Sequence, residues 1–454
     1  MTRRDIFFLT GLIVLSTGVI LLSIIDRSDS PLMIIGLLLG FFGLIISFQN
    51  KAILTQRNLF LIFGLGILLR VLFTFDAPRF SDDFYRFVWD GRATTLGLNP
   101  FDKTPEEVCK DTSIRNIQLC EEQYGLDLET IPRGKLNSED VYTIYPPVNQ
   151  GIYALSNSIG KEKPMKTVVA MKWIVLIFEI VTFFLLKSLI AFTGKQNRTI
   201  LLYWLNPIVI MELVGNLHFE GVAITFILTT LYFLRRQNYL VASIPLALAF
   251  CTKLTPAILG LVALKRMSLK KWLLWGVVSG VLAVILFSLF LNSENVGNFF
   301  ASMKLYTRRF EFNASIYYVL LKLQKMLPEA NIVGLYNYWL PLILATAVLS
   351  VNFVRRNYTL TERFFLALFL YFVFSKVVHP WYITPLIALT PLVRWNFAIL
   401  WSGMIGFTYL SYGGQAFEEQ YWISFLSYAI LFVFAYLEIK KKRTQETNKE
   451  NSIL

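Results

Sequence analysis

The chain has 454 residues, 55% of them apolar and 16% charged, with a mean hydropathy of +0.55. That is too little charge to cover a soluble protein of this length, so the soluble globular classes are excluded. The net charge of +13 does not mark a nucleic-acid binder either, because the basic residues stand in small groups at the ends of apolar runs: Arg3 and Arg4, Lys51 and Arg57, Lys195 and Arg198, Arg235 and Arg236, Lys265 to Lys271, Arg355 and Arg356, and Lys440 to Arg443. That is the positive-inside pattern, which sets orientation in a membrane.

Apolar runs are expected to form membrane helices near 6–25, 31–48, 59–75, 168–190, 199–214, 219–234, 239–252, 254–264, 271–291, 332–353, 361–378, 382–392, 396–411 and 421–439. The first run is long and no small-residue cleavage site follows it, so it reads as a retained anchor rather than a removed signal. Several runs are shorter than the roughly 20 residues a straight span needs. The pieces meeting near Pro256, and those around Pro380 and Pro385, read as broken or partial spans, since proline inside an apolar run ends or kinks a helix. The fold is therefore all-α and multi-pass, with about 12–14 membrane segments when short broken or re-entrant pieces are counted. The basic groups put both ends in the cytoplasm. One membrane domain covers 1–440, and 441–454 is a polar cytoplasmic tail. Charges in or near the runs are few: Arg70, Lys172, Glu179, Lys187, Lys253 and Lys376.

With the first residues inside, the loop at 76–147 lies outside the cytoplasm. It holds 14 of the 30 acidic residues against 8 Lys plus Arg. The segment 148–160 is apolar but short, and is expected to be re-entrant or interfacial. The segment 292–330 is also external, with an amphipathic stretch from Ser315 to Leu327 suited to the membrane surface. Cys109 and Cys120 share the acidic loop, either as a disulfide in an oxidising compartment or as two free thiols. Cys251 falls in a span and reads as packing.

The densest chemistry follows the third run, in Ser81-Asp82-Asp83-Phe84-Tyr85-Arg86-Phe87-Val88-Trp89-Asp90-Gly91-Arg92. Ionisable groups at a membrane rim are costly unless they face water or a polar cavity. Asp82 and Asp83 are candidate general bases, and Arg86 and Arg92 can hold an anionic phosphate through charge-assisted hydrogen bonds. The plainer alternative is a helix start, capped by Asp82 with Asp83 on its dipole. Asp90 is expected to pair with Arg86 or Arg92. Glu212, Asn216 and Glu220 are spaced i, i+4, i+8, as on one helix face, and with His218 nearby that face can bind sugar hydroxyls. His218 and Glu220 without a third ligand make a weak case for a metal, and none is expected. Lys253, beside a proline break, either pairs with a phosphate or snorkels to the interface. His379-Pro380-Trp381-Tyr382 suits either sugar binding or an interfacial aromatic belt. Arg308 and Arg309 are candidate phosphate or headgroup contacts.

The string from Asp82 to Arg92, followed by Gly97-Leu98-Asn99-Pro100-Phe101, resembles the GT-C membrane glycosyltransferases. It is similar to the bacterial polyprenyl-phosphate-mannose-dependent mannosyltransferases and, more distantly, to the first GPI mannosyltransferase. Ile144-Tyr145-Pro146-Pro147 with Gln150 resembles the family's Tyr-Pro-Pro segment. Asn206-Pro207, Glu212, Asn216, His218 and Glu220 resemble its next polar cluster, and Lys253-Leu254-Thr255-Pro256 its Lys-x-x-Pro break. The resemblance covers roughly 80–256. It implies transfer of a hexose, mannose in this family, from a polyprenyl-phosphate sugar to the hydroxyl of a glycan or lipid-linked acceptor, with inversion and without a cofactor. An aspartate of the first outer loop acts as base, with Asp82 narrowly favoured over Asp83. It also implies a bacterial plasma-membrane enzyme working on the extracytoplasmic face, in contact with membrane lipid. The competing readings are a transporter or lipid-carrier flippase, which favours inverted repeats and midplane charges, and a non-catalytic assembly subunit.

Overall fold

A computed structural model of the chain describes residues 3–49, 56–111, 120, 136, 138–161, 163–354, 357–413 and 417–451. Among the described residues, six helices are long and apolar enough to cross a membrane: Asp5–Ile24, Ser30–Gln49, Pro164–Ala191, Leu269–Ser288, Ile332–Phe353 and Tyr421–Lys441. A seventh span is a pair, Asn197–Trp204 and Pro207–Gly215, bent by 50°. The remaining apolar runs are shorter helices, among them Tyr239–Phe250, Ala257–Ala263 and Leu360–Phe374. The protein is thus an all-helical integral membrane protein. The only strand pairing among the described residues is one bridge between Phe312 and Val377.

The first two spans form a tight hairpin because small residues face each other. A Cβ on Gly18 would lie 2.4 Å from the Gly40 nitrogen and 2.5 Å from the Gly36 oxygen, so only glycine permits this approach. The short turn between the spans carries Arg27. The bend between Asn197–Trp204 and Pro207–Gly215 comes from Asn206-Pro207. The Asn206 side chain accepts from the backbone N–H groups of Ile208 (3.0 Å) and Val209 (3.4 Å), capping the second half. Its amide donates to Ser402 at 2.9 Å, tying the bend to a distant helix.

Charges inside the bundle are paired. Arg70 donates to Glu179 at 2.9 Å and to the carbonyls of Gly66 (3.1 Å) and Trp204 (2.8 Å), while Tyr203 donates to Glu179 at 2.6 Å. Arg70 and Glu179 are both fully buried, and the guanidinium lies 4.0 Å from the Trp204 ring centroid. Lys172 donates to the carbonyls of Phe73 (2.8 Å) and Asp76 (2.7 Å), fixing where the helix Gln56–Val71 ends and the acidic loop begins.

One expected element is corrected. Glu212, Asn216 and Glu220 do not share a helix face. Ile210–Gly215 is a π-helix, Leu217 adopts a left-handed conformation (φ 62°), and a new helix starts at Glu220. The i+4 bond from Asn216 to Glu212 forms (3.0 Å), but the chain turns before the next step. A wide turn and a left-handed leucine are costly features of the kind that gather at functional sites.

Candidate active site

Two helices outside the spans build the site. Asp83–Thr95 is buried from Phe84 to Ala93, and Pro147–Ile159 packs across it where Gly91 allows contact. A Cβ on Gly91 would fall 2.5 Å from the Tyr153 oxygen. The second helix is the segment expected to be interfacial. Its start holds the proline break of the Lys-x-x-Pro motif: Val148 N–H donates to the Cys251 carbonyl (3.0 Å) and Asn149 to the Thr252 carbonyl (3.1 Å). These two bonds carry Lys253 to the acidic helix.

The two adjacent aspartates have different surroundings. Asp82 occupies the N-cap position without capping the helix; its carboxylate takes a 2.5 Å ion pair from Arg27 in the first inter-span turn. The Asp83 backbone N–H is satisfied instead by the Ser81 hydroxyl (3.3 Å). The Asp83 side chain lines a cavity of about 260 Å³. Burial raises the Asp83 pKa; His218 and Lys253 oppose the shift, and Glu220 and Asp82 add to it.

The same cavity is lined by Tyr145, Glu220 and Lys253 on its polar side. Lys253 pairs with Glu220 Oε1 at 2.8 Å, and Glu220 is 4% exposed, with Oε2 lacking any described partner. Across from them, Leu340, Leu344 and Phe372 supply an apolar wall. Tyr306 and Tyr382, which share a hydrogen bond, also line it.

Other expected site residues do not line this cavity. Arg86 donates to Asp90 (2.7 Å) and to the carbonyls of Ser138 (2.9 Å) and Val141 (2.8 Å). The second Asp90 oxygen accepts from Thr143 (2.6 Å) and Gln150 (2.9 Å). Arg86 and Gln150 thus anchor the returning end of the acidic loop, and Asp90 pairs with Arg86. Arg92 is buried on the same helix. Glu212 is enclosed by Asn216, by Tyr409 (2.7 Å) and by His218 Nδ1 (3.2 Å), and Asn216 accepts the Phe80 N–H (3.2 Å), just ahead of the aspartates. His218 and His379 stack on Trp381. Burial first, then His218 and Lys253 nearby, push the His379 pKa down to about 3. The side chains of Arg308 and Arg309 lie outside the described set. Cys109 and Cys120 form a disulfide with Cα atoms 5.6 Å apart, and Cys251 is free and buried.

Sequence reasoning missed Arg27, Tyr306 and the apolar wall. Arg27 carries a signal, as a charge in the inter-span turn on the same side as the acidic loop. Tyr306 sits in an amphipathic helix, Val296–Arg309, where only the neighbouring arginines stand out.

A buried carboxylate, a lysine and an unsatisfied acceptor around one largely apolar cavity suit proton removal from an alcohol next to an anionic leaving group. The family model for the alpha-(1->6)-mannopyranosyltransferase N-terminal domain, of the MptA_B family, matches residues 32–268. This span includes Asp82, Asp83, Tyr145, Glu220 and Lys253. No curated protein matches the chain. With more than half of its length matched, and with six helices among the described residues long and apolar enough to cross a membrane, the chain belongs to the alpha-(1->6)-mannopyranosyltransferase family and is an integral membrane mannosyltransferase.

Proposed function

We propose that the protein transfers mannose from a polyprenyl-phosphate mannose to a hydroxyl of a glycan or lipid-linked acceptor, with inversion, at the extracytoplasmic face of a bacterial plasma membrane. Asp83 is the base. Its carboxylate takes the proton of the acceptor hydroxyl, the freed oxygen pair attacks the anomeric carbon, and the bond from that carbon to the phosphate oxygen breaks. Polyprenyl phosphate leaves with the bonding pair. Lys253, held by Glu220, offers its remaining N–H groups to that phosphate. The apolar wall suits the first isoprene units.

The observation that carries this reading is the position of Asp83. It lines the cavity that also holds the Lys253–Glu220 pair and the apolar wall, whereas Asp82 is engaged by Arg27. Burial that raises a carboxylate's pKa makes it a stronger base, and the nearby Lys253 helps keep it ionised. The distribution of basic residues supports the extracytoplasmic face. The test is a transfer assay of purified protein with radiolabelled polyprenyl-phosphate mannose. A new glycosidic product formed by wild type but not by Asp83→Asn supports the reading. Product from a nucleotide sugar alone refutes the donor, and full activity of Asp83→Asn refutes the base.

A further inference from the structure

An aromatic side chain in a sugar site ordinarily offers a ring face to the apolar C–H face of a pyranose. Trp381 lines the cavity, yet neither of its faces is available. The His218 ring lies 3.7 Å from its centroid at 13°, and the His379 ring 4.3 Å at 3°. Two imidazoles this close to one indole centroid would overlap each other on a single face, so they occupy opposite faces. Phe312 stacks on His379 at 4.6 Å, which extends the column to four rings.

The column is clamped at both ends. His218 Nδ1 is held by Glu212, 3.0 Å from its carbonyl and 3.2 Å from its carboxylate. Phe312 is held by a reciprocal backbone pair, its N–H donating to Lys376 (3.0 Å) and its carbonyl accepting from Val378 (2.9 Å). The indole is therefore fixed in plane and tilt, and only its edge reaches the cavity. Trp381 is 8% exposed. No described group accepts its Nε1–H, and that nitrogen is not among the enclosed polar atoms that lack a partner. The open part of the residue is the donor edge.

We propose that Trp381 is a substrate-positioning residue that donates Nε1–H to an oxygen of the mannosyl phosphate, and that the stacked imidazoles aim this bond. The assignment rests on the donor reading above. It differs from an aromatic platform in what it requires: a single N–H at a fixed place, and no ring face.

The test compares wild type, Trp381→Phe and a variant with 3-benzothienylalanine at position 381, which keeps the bicyclic shape and stacking but replaces the N–H with sulfur. Polyprenyl-phosphate mannose in detergent is the probe, read by steady-state turnover and by donor-induced shift of the melting temperature. Loss of one hydrogen bond to a charged phosphate raises donor KM by about tenfold to a hundredfold and leaves kcat little changed. The benzothienyl variant is expected to behave so and to melt like wild type in the absence of donor. A wild-type donor KM in that variant overturns the assignment, whatever Trp381→Phe does, because ring shape alone then suffices. A fall in kcat at unchanged KM overturns it too. Wild-type protein that neither binds nor consumes this donor overturns the donor reading, and the Trp381 assignment with it.

Discussion

Glu179 and Glu220 are both buried carboxylates on helices that pack together, and each has a basic partner, Arg70 at 2.9 Å and Lys253 at 2.8 Å. In the first pair every carboxylate oxygen is used. Oε2 takes Arg70 and Oε1 takes Tyr203, and the guanidinium is further held by two carbonyls and the Trp204 ring. In the second pair Glu220 Oε2 is left without a described partner, Lys253 is a quarter exposed, and both side chains border a cavity shared with Asp83. A buried pair whose carboxylate oxygens are both bonded, with the unpartnered Arg70 Nε sealed inside the bundle, has no open acceptor to offer a ligand. One left open at a cavity is costly to the fold and useful to a substrate. The same ingredients serve architecture in one place and chemistry in the other.

Mutations separate the two. The largest effect is expected at Asp83, where Asp83→Asn lowers kcat by about 10²–10⁴, the usual worth of a general base. The same change should raise the melting temperature in detergent. The folded-state pKa of Asp83 lies above its unfolded value, so the folded protein gains stability as pH falls through that shifted value, and the ionised carboxylate costs stability at neutral pH. A neutral isostere relieves that cost. At the closed pair the signs reverse. Glu179→Ala leaves Arg70 buried without its carboxylate and costs about 3–5 kcal/mol of stability, seen as lost yield and a lower melting temperature, while the kcat of the surviving folded protein stays at the wild-type level. Lys253→Met at the open pair removes a charge-assisted contact to phosphate and raises donor KM by about tenfold to a hundredfold. The smallest effect belongs to Asp82→Asn. Its pair with Arg27 is about a quarter exposed on each side, and such pairs contribute about 0.2–1 kcal/mol, so turnover should be preserved.

What could be read from the sequence depended on whether the cause was local. The span pattern, the breaks near Pro256 and Pro380, and the acidic loop follow from composition and proline chemistry, and the structure has helices and breaks at these places, whereas the bend at Pro207 lies inside a run read as continuous. Tyr145, Glu220 and Lys253 were legible as motifs and do meet at one cavity. Long-range pairing was not legible. Arg27 meets Asp82 across 55 positions and Arg70 meets Glu179 across 109. The first separates two aspartates that are chemically alike in the sequence. Nor does spacing show that Arg86 and Gln150 spend their donors on Asp90 and the loop carbonyls rather than on a ligand. The helical face expected for Glu212, Asn216 and Glu220 failed for a backbone reason: a left-handed Leu217 has no signature in a residue that favours the right-handed helix.

The pH dependence of kcat/KM for mannosyl transfer tests the role of Asp83 most directly. A base must be ionised to act, so activity should fall on the acid side with an apparent pKa above the ordinary aspartate value of about 3.9. That limb should survive in Asp82→Asn and vanish from the residual activity of Asp83→Asn. A limb at the ordinary value, or one that persists in Asp83→Asn and is lost in Asp82→Asn, would contradict the account.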